Sequence, residues 1–228
     1  MRNNGEVRHL LTHTNPKSPV AEAFRTLRTN LYFSDLKKSL KKIMVTSAGP
    51  SEGKSTILAN LAVTVAQTGQ KVLLIDADLR KPVMHKIFDL SNSKGLTNLL
   101  VEELEPGQVI HRSKIENLDI LTSGPIPPNP SELLGSERME KFLNGINSYD
   151  IIFIDSPPAV AVTDAVVLSS KMDGVLLVID CKQVRREMAI SAKEQLLKAN
   201  ARILGAVLNR VEYKGEDYQY YYYYGSKK

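Results

Sequence analysis

The chain has 228 residues, 43% of them apolar, and its 30 lysines and arginines against 25 aspartates and glutamates leave a formal charge of +5. That length and apolar share support one sizeable core, while so mild a basic surplus excludes the dense positive field of a dedicated nucleic-acid binder. A single cysteine, Cys181, excludes an internal disulfide framework, and the polar opening MRNNGEVRHLLTHTNPKSP does not read as a secretory signal, so a cytoplasmic protein is expected.

In chain order, PVAEAFRTLRTNLYF has a helical pattern and carries Glu22, Arg25 and Arg28 at spacings of three. On spacing alone this is an ordinary intrahelical pairing worth a few tenths of a kcal/mol. Lys37, Lys38, Lys41 and Lys42 read as a solvated helix face in preference to a partner site. From there on, the short β-branched runs IMVTS, KVLLID, LDILTS, DIIFID, GVLLVID and ILGAVLNRV alternate with amphipathic stretches. That alternation predicts an α/β domain with a buried, mostly parallel sheet and helical crossovers. No apolar run approaches the roughly twenty residues that span a bilayer, so membrane association would come through a partner.

Between IMVTS and the next helix lies AGPSEGKST, Ala48 to Thr56. A strand, a glycine-containing loop and a helix in that order make a phosphate-binding loop, in which Gly49, Pro50, Ser51, Glu52, Gly53 and Thr56 are the region whose backbone N–H groups, Pro50 excepted, surround the phosphates. Lys54 reaches the terminal phosphates and the Ser55 hydroxyl meets Mg²⁺. Ala48 stands where the first glycine of the motif usually sits. The helix behind the loop places Ile57, Leu61 and Val65 on one face and stops near Gly69. Lys54 is expected to act on the nucleotide without supporting core packing.

KVLLIDADLR then supplies Asp76 and Asp78, and DIIFIDSPP supplies Asp155, each at a strand's carboxyl end. Ligands of parallel sheets bind beyond those ends, so the three carboxylates converge on whatever the loop holds. Asp155 is expected to hold Mg²⁺ through its water shell. Between these runs, PIPPNP, Pro125 to Pro130, is an exposed loop followed by a helix start at SELL. The chain closes on YQYYYYYG, six of its nine tyrosines in seven residues. If ILGAVLNRV is a parallel strand, this tail leaves from the edge that carries the phosphate loop. The eleven residue steps from Val211 to Tyr222 extend to about 35–40 Å, enough to reach the chain's own site or a neighbour's.

The loop at Ala48 to Thr56, LLIDADLRKP, IIFIDSPP, EAFRTLR and the tyrosine-rich end together resemble the bacterial tyrosine kinases, in the Gram-positive form whose kinase is a separate chain from its membrane-embedded activator. The resemblance covers nearly the whole chain and implies a P-loop NTPase-like fold: one domain over residues 1–212 with helices on both sheet faces, an oligomerisation helix at about 19–33, and a disordered tyrosine-rich tail at 213–228. It implies ATP and Mg²⁺ as cofactors, with the catalytic groups on Lys54, Asp76, Asp78 and Asp155 and the metal ligands on Ser55, Asp76 and Asp155. Asp76 is the expected base toward the acceptor phenol, with Asp78 second. Arg80 falls near the phosphates, and Asn209 and Arg210 match the place where related ATPases contact adenine. Tyr218, Tyr220, Tyr221, Tyr222, Tyr223 and Tyr224 are the implied phosphoacceptors. Glu22, Arg25 and Arg28 fall on the family's oligomerisation motif. The expected partners are further copies in a ring-like homo-oligomer, a separate transmembrane activator that brings the kinase to the inner face of the membrane, and protein substrates of polysaccharide synthesis, with no nucleic acid. The rival is a partition or positioning ATPase, a nucleotide switch with a membrane partner. That group carries an extra lysine early in its loop, where this chain has Gly49.

Overall fold

The computed structural model describes residues 10–34, 40–102 and 104–212. The expected tail at 213–228, with every proposed phosphoacceptor, lies outside them, as do Lys37 and Lys38. In chain order the elements are α1 (Leu11–Thr14), α2 (Pro19–Phe33), β1 (Lys42–Ser47), α3 (Lys54–Ala66), β2 (Val72–Asp76), α4 (Met84–Ile87), α5 (Leu96–Val101), β3 (Ile110–Arg112), β4 (Leu118–Leu121), α6 (Pro130–Gly135), α7 (Glu137–Gly145), β5 (Ile151–Asp155), α8 (Asp164–Ser169), β6 (Gly174–Asp180), α9 (Arg186–Lys198) and β7 (Ile203–Asn209).

Among the described residues the strands form one seven-stranded sheet in the order β3-β4-β2-β5-β1-β6-β7, parallel throughout except for β3. Alternation along each strand sends side chains to two separate cores. Met44, Leu73, Ile75, Ile152, Ile154 and Leu177 pack beneath α5 to α9. Their strand neighbours Ile43, Val45, Leu74, Phe153 and Val178 pack beneath α2, α3 and α4. The result is a single α/β domain with a P-loop topology and helices on both faces.

Three elements differ from the sequence expectation. Helix α3 is buried on nearly every side, although only the Ile57, Leu61 and Val65 face was expected inside. The segment before the sheet covers its other face. Buried Thr12 donates its N–H and its hydroxyl to the Asn60 side chain, each at 3.0 Å, and Arg28 donates to the Thr64 carbonyl at 2.9 Å. Strand β3, Ile-His-Arg, has no apolar run to announce it and is held as an antiparallel edge by its pairing with β4. Pro130 opens α6 instead of closing the loop, because a first-turn residue needs no N–H donor.

Candidate active site

The loop after β1 is shaped by its own backbone. Ser51 and Gly53 both take left-handed conformations, φ 64° and 88°, which turn successive N–H groups toward one concave side. At Gly53 a side chain is excluded twice, since a Cβ would also collide with the Asn209 amide. Pro50 and Ser51 form the exposed tip, and Glu52 turns inward. The buried Glu52 carboxylate accepts from the Gly49 N–H and, at 2.9 Å, from the Asp180 N–H, tying the loop to the end of β6. Ser47 adds a hydroxyl donated to the Gly49 carbonyl at 2.7 Å.

Lys54 and Ser55 start α3 and are both buried. The Lys54 ammonium lies 3.0 Å from Asp78 Oδ2, 3.3 Å from Asp155 Oδ1 and 3.2 Å from the Ser55 hydroxyl. Burial works against its charge, yet Asp155 and Asp78 together hold its pKa above the ordinary lysine value. The expectation that Lys54 supports no packing is therefore corrected: without a nucleotide it is the cation at the centre of a buried carboxylate cluster.

Asp76 and Asp155 are fully buried and are paired residues in the β2–β5 register. Burial, then the Asp155 charge, pushes the Asp76 carboxyl up to about 7. Asp76 Oδ2 accepts from the Val83 and Met84 N–H groups, both at 2.9 Å, and Oδ1 accepts from the Asp78 N–H at 3.3 Å. Asp155 is likewise raised, by burial first, with Lys54 and the Ser55 hydroxyl opposing. Asp78 Oδ1 accepts from the Lys81 N–H at 3.0 Å. Three buried carboxylates around one lysine leave unbalanced negative charge beside a helix N-terminus, a setting that suits a divalent cation together with phosphate. Among the described residues no group of three acidic, histidine or cysteine side chains encloses a metal by itself. A hydrated Mg²⁺ that takes part of its shell from phosphate needs no such cage.

The remaining candidates fall around this cluster. Arg80 points its fork at Asp164, through Nε at 2.8 Å and Nη2 at 3.0 Å, and Asp164 also accepts from the Ser131 hydroxyl. Burial pushes the Asp164 carboxyl up, but Arg80 and Ser131 outweigh it and hold the pKa below the usual range. Asn209 donates to the Glu52 carbonyl at 2.8 Å, and Arg210 pairs with buried Asp180. Both thus brace the loop from the β7 side. Away from the site, Glu22 and Arg25 form a 2.6 Å pair on α2, and Arg25 also donates to the Pro16 carbonyl.

Asp164 and Asp180 were missed from sequence. Asp180 closes GVLLVID just as Asp76 and Asp155 close their strands, so the same strand-end rule would have found it. Asp164 opens a short helix and carries no local sign of a partner 84 residues away.

Comparison with known proteins agrees with this arrangement. A family model described as an AAA domain matches residues 40–210. Tyrosine-protein kinase YwqD of Bacillus subtilis (strain 168) is 46% identical over 96% of this chain and 92% of its own length. Among solved structures, the chimerical protein CapA2B2 superposes with a TM-score of 0.86 at 41% identity, covering 90% of each chain. The kinase domain of the Escherichia coli tyrosine kinase ETK gives 0.87 at 37% identity, covering 91% of this chain and 82% of that one. With 46% identity over nearly the whole chain added to the P-loop and its strand-end carboxylates, the chain belongs to the bacterial tyrosine kinases, in their Gram-positive separate-chain form, and is a protein-tyrosine kinase.

Proposed function

We propose that this kinase uses ATP with Mg²⁺ to phosphorylate the tyrosine cluster at its own C-terminus, in trans within an oligomer, and that it regulates exopolysaccharide or capsule production when joined to a separate membrane-embedded activator. The observation that carries the reading is the Lys54 ammonium held in a buried loop against Asp78 and Asp155. Mg²⁺·ATP supplies the γ-phosphoryl group and the metal charge that screens its oxygens. Lys54 would turn from Asp78 and Asp155 to the phosphate oxygens, and Ser55 and Asp155 would hold the metal and its waters, with Asp76 beside them. The acceptor phenol, with an unperturbed pKa near 10, gives its proton to a carboxylate as its oxygen bonds to phosphorus and the bond to the ADP oxygen breaks. Asp76 is the carboxylate proposed for that task, with Asp78 second.

The membrane part of the reading rests on two supports. Among the described residues no helix is long and apolar enough to cross a membrane, so recruitment to the inner face falls to a partner. A solved relative being a chimera, CapA2B2, is in keeping with a kinase that works beside a second polypeptide. The test is phosphotyrosine mass spectrometry on phosphatase-treated protein restarted with Mg²⁺·ATP, with and without an activator fragment. Phosphate should appear on Tyr218 and Tyr220 to Tyr224 and should be absent from Lys54→Met. ATP turnover with no phosphate on those residues, activator included, would overturn the reading in favour of a nucleotide switch.

A further inference from the structure

Beside the carboxylate cluster, where β2 and β4 end, lies a cleft of about 520 Å³, within the range of about 300–1,000 Å³ typical of small-ligand sites. Lys81, His85 and Lys86 line it together with the apolar surfaces of Pro82 and Ile126. Both walls are fixed. On one side, Asp76 grips the Val83 and Met84 N–H groups that lead into α4. On the other, the Asn92 amide and the Gly124 backbone exchange two hydrogen bonds, at 2.9 and 3.0 Å, beneath the start of the PIPPNP loop.

Two of the positive charges in the cleft are uncommitted. Arg80 also lines it but is spent on Asp164. Lys81 and Lys86 are exposed, and among the described residues neither side chain has a carboxylate partner. His85 Nδ1 is buried without a hydrogen-bond partner among the described residues. Ile126, 65% exposed, presents an apolar face at the rim. Two free ammonium groups, an unsatisfied imidazole nitrogen and a flat apolar wall match a group that is dianionic at one end and aromatic behind it.

We propose that this cleft is a subsite for a phosphotyrosine already present in the acceptor segment, seated while a second tyrosine of the same segment lies at Asp76. The cleft begins a few residues beyond Asp76 and one strand over, so the two positions lie about one to two strand spacings apart, roughly 5–10 Å. An extended chain advances about 6.6–7 Å in two residues and returns its side chain to the same face. The tail YQYYYYY offers that spacing repeatedly, as Tyr218 and Tyr220, Tyr220 and Tyr222, Tyr222 and Tyr224, and Tyr221 and Tyr223. Each transfer then makes the ligand that positions the next acceptor, and a run of tyrosines becomes a ladder. This inference rests on the tail being the substrate, and its test separates the two.

The full-length kinase with its six tail tyrosines changed to Phe, supplied with an activator fragment, is given peptides of residues 214–228 in which Tyr222 is the sole acceptor. One peptide carries phosphotyrosine at 220 and one carries Phe. The phosphorylated peptide should show a KM about tenfold lower, a difference of about 1.4 kcal/mol. Lys81→Gln with Lys86→Gln should erase that advantage and leave turnover of the Phe peptide unchanged. Anisotropy of the labelled peptides without ATP should show the same tenfold preference and its loss, so binding decides the matter even if turnover fails. Equal KM and equal affinity of the two peptides for the unsubstituted cleft overturns the subsite. So does a preference that follows Glu216 and Asp217 when these are replaced by Gln and Asn, because the cleft then reads carboxylates. No turnover of either peptide, with the binding preference intact, instead counts against the tail as substrate.

Discussion

Replacing Lys54 by Met removes the proposed catalytic cation, and the cluster around it makes the same change a test of stability. Asp76 and Asp155 are fully buried and Asp78 is 4% exposed, and Lys54 is the cation that faces them. Breaking a buried pair by removing one partner costs about 3–5 kcal/mol, since a charge is left uncompensated. The protein can offset part of this by protonating a carboxylate, and Asp76, held at about 7 by burial and Asp155, takes that proton first. Without the lysine the buried carboxylates bind protons more tightly, so the penalty shrinks as pH falls.

For a chain of this size, 1 kcal/mol moves the melting temperature by about 2–4 °C. The nucleotide-free Lys54→Met protein should thus melt up to about 6–20 °C below the unsubstituted protein at pH 7.5 and by a smaller margin at pH 5, by scanning fluorimetry. Adding Asp155→Asn should recover part of the loss at pH 7.5, because an amide carries no charge to strand. A deficit that is equal at both pH values, or no deficit at all, refutes the account of Lys54 as the counterion of the empty cluster. Loss of phosphotyrosine is expected in every case.

Other consequences follow from neighbouring groups. The Asp76 carboxyl, raised to about 7 by burial and Asp155, binds its proton more tightly folded than unfolded, so its contribution is complete below about pH 4 and is lost as pH rises through 7. On the order of 4 kcal/mol is at stake, and the melting temperature of nucleotide-free protein should fall between pH 5 and 8, with a flatter profile in Asp76→Asn. On α2, exchanging the charges as Glu22→Arg with Arg25→Glu preserves an exposed pair worth about 0.2–1 kcal/mol and spares the Arg28 anchor on Thr64. Light scattering should show a smaller particle with an unchanged melting temperature if α2 is an interface, and an unchanged mass rejects that role. Gly95→Ala would place a Cβ against the Thr122 carbonyl and the Gly124 nitrogen and 2.7 Å from the Ser123 carbonyl carbon, so urea denaturation should show a loss of about 1–3 kcal/mol.

What could be read from sequence was whatever local pattern determines. The phosphate loop needs its strand, its left-handed turn and its helix in immediate succession, and all three are contiguous between Lys42 and Ala66. Asp76 and Asp155 announced themselves as the polar ends of apolar strands, and the sheet did bring them into register. The partners of the basic residues could not be read in this way. Arg80 is two residues from Asp78, which suggests phosphate, yet its fork closes on Asp164 from a distant helix. Arg28 is on the expected α2 face, yet it reaches the backbone of α3. Ser51 holds a positive φ that a glycine would hold more easily, so no residue type signalled that turn. Side chains with long reach choose partners by tertiary packing, and packing is invisible to spacing.

The sheet order also bears on whether a chain phosphorylates itself or its neighbour. The last described strand, β7, ends at Asn209 and Arg210, which are clamped to Glu52 and Asp180, so the tail begins at a fixed point. Strands β6, β1 and β5 separate β7 from β2 and Asp76, a separation of about 19 Å at the usual strand spacing. Nine residue steps from Val211 to Tyr220 cover about 30 Å, so reach alone permits the chain's own site. A direct route, however, crosses the end of β1, where the phosphate loop lies and where the nucleotide is proposed to sit. A tail in cis must arch over bound ATP, whereas a tail from another copy can enter from the open β4 side, past Lys81 and Lys86. Mixing separates the two routes. Full-length Lys54→Met supplies a tail without catalysis, and the chain with all six tail tyrosines changed to Phe supplies catalysis without a tail. At a temperature below the lowered melting point of Lys54→Met, and with an activator fragment present, phosphotyrosine should accumulate on that chain at a rate that rises with the concentration of its partner. If the unsubstituted protein phosphorylates its tail under the same conditions while Lys54→Met acquires nothing, the tail arches over the nucleotide after all and the trans route is wrong.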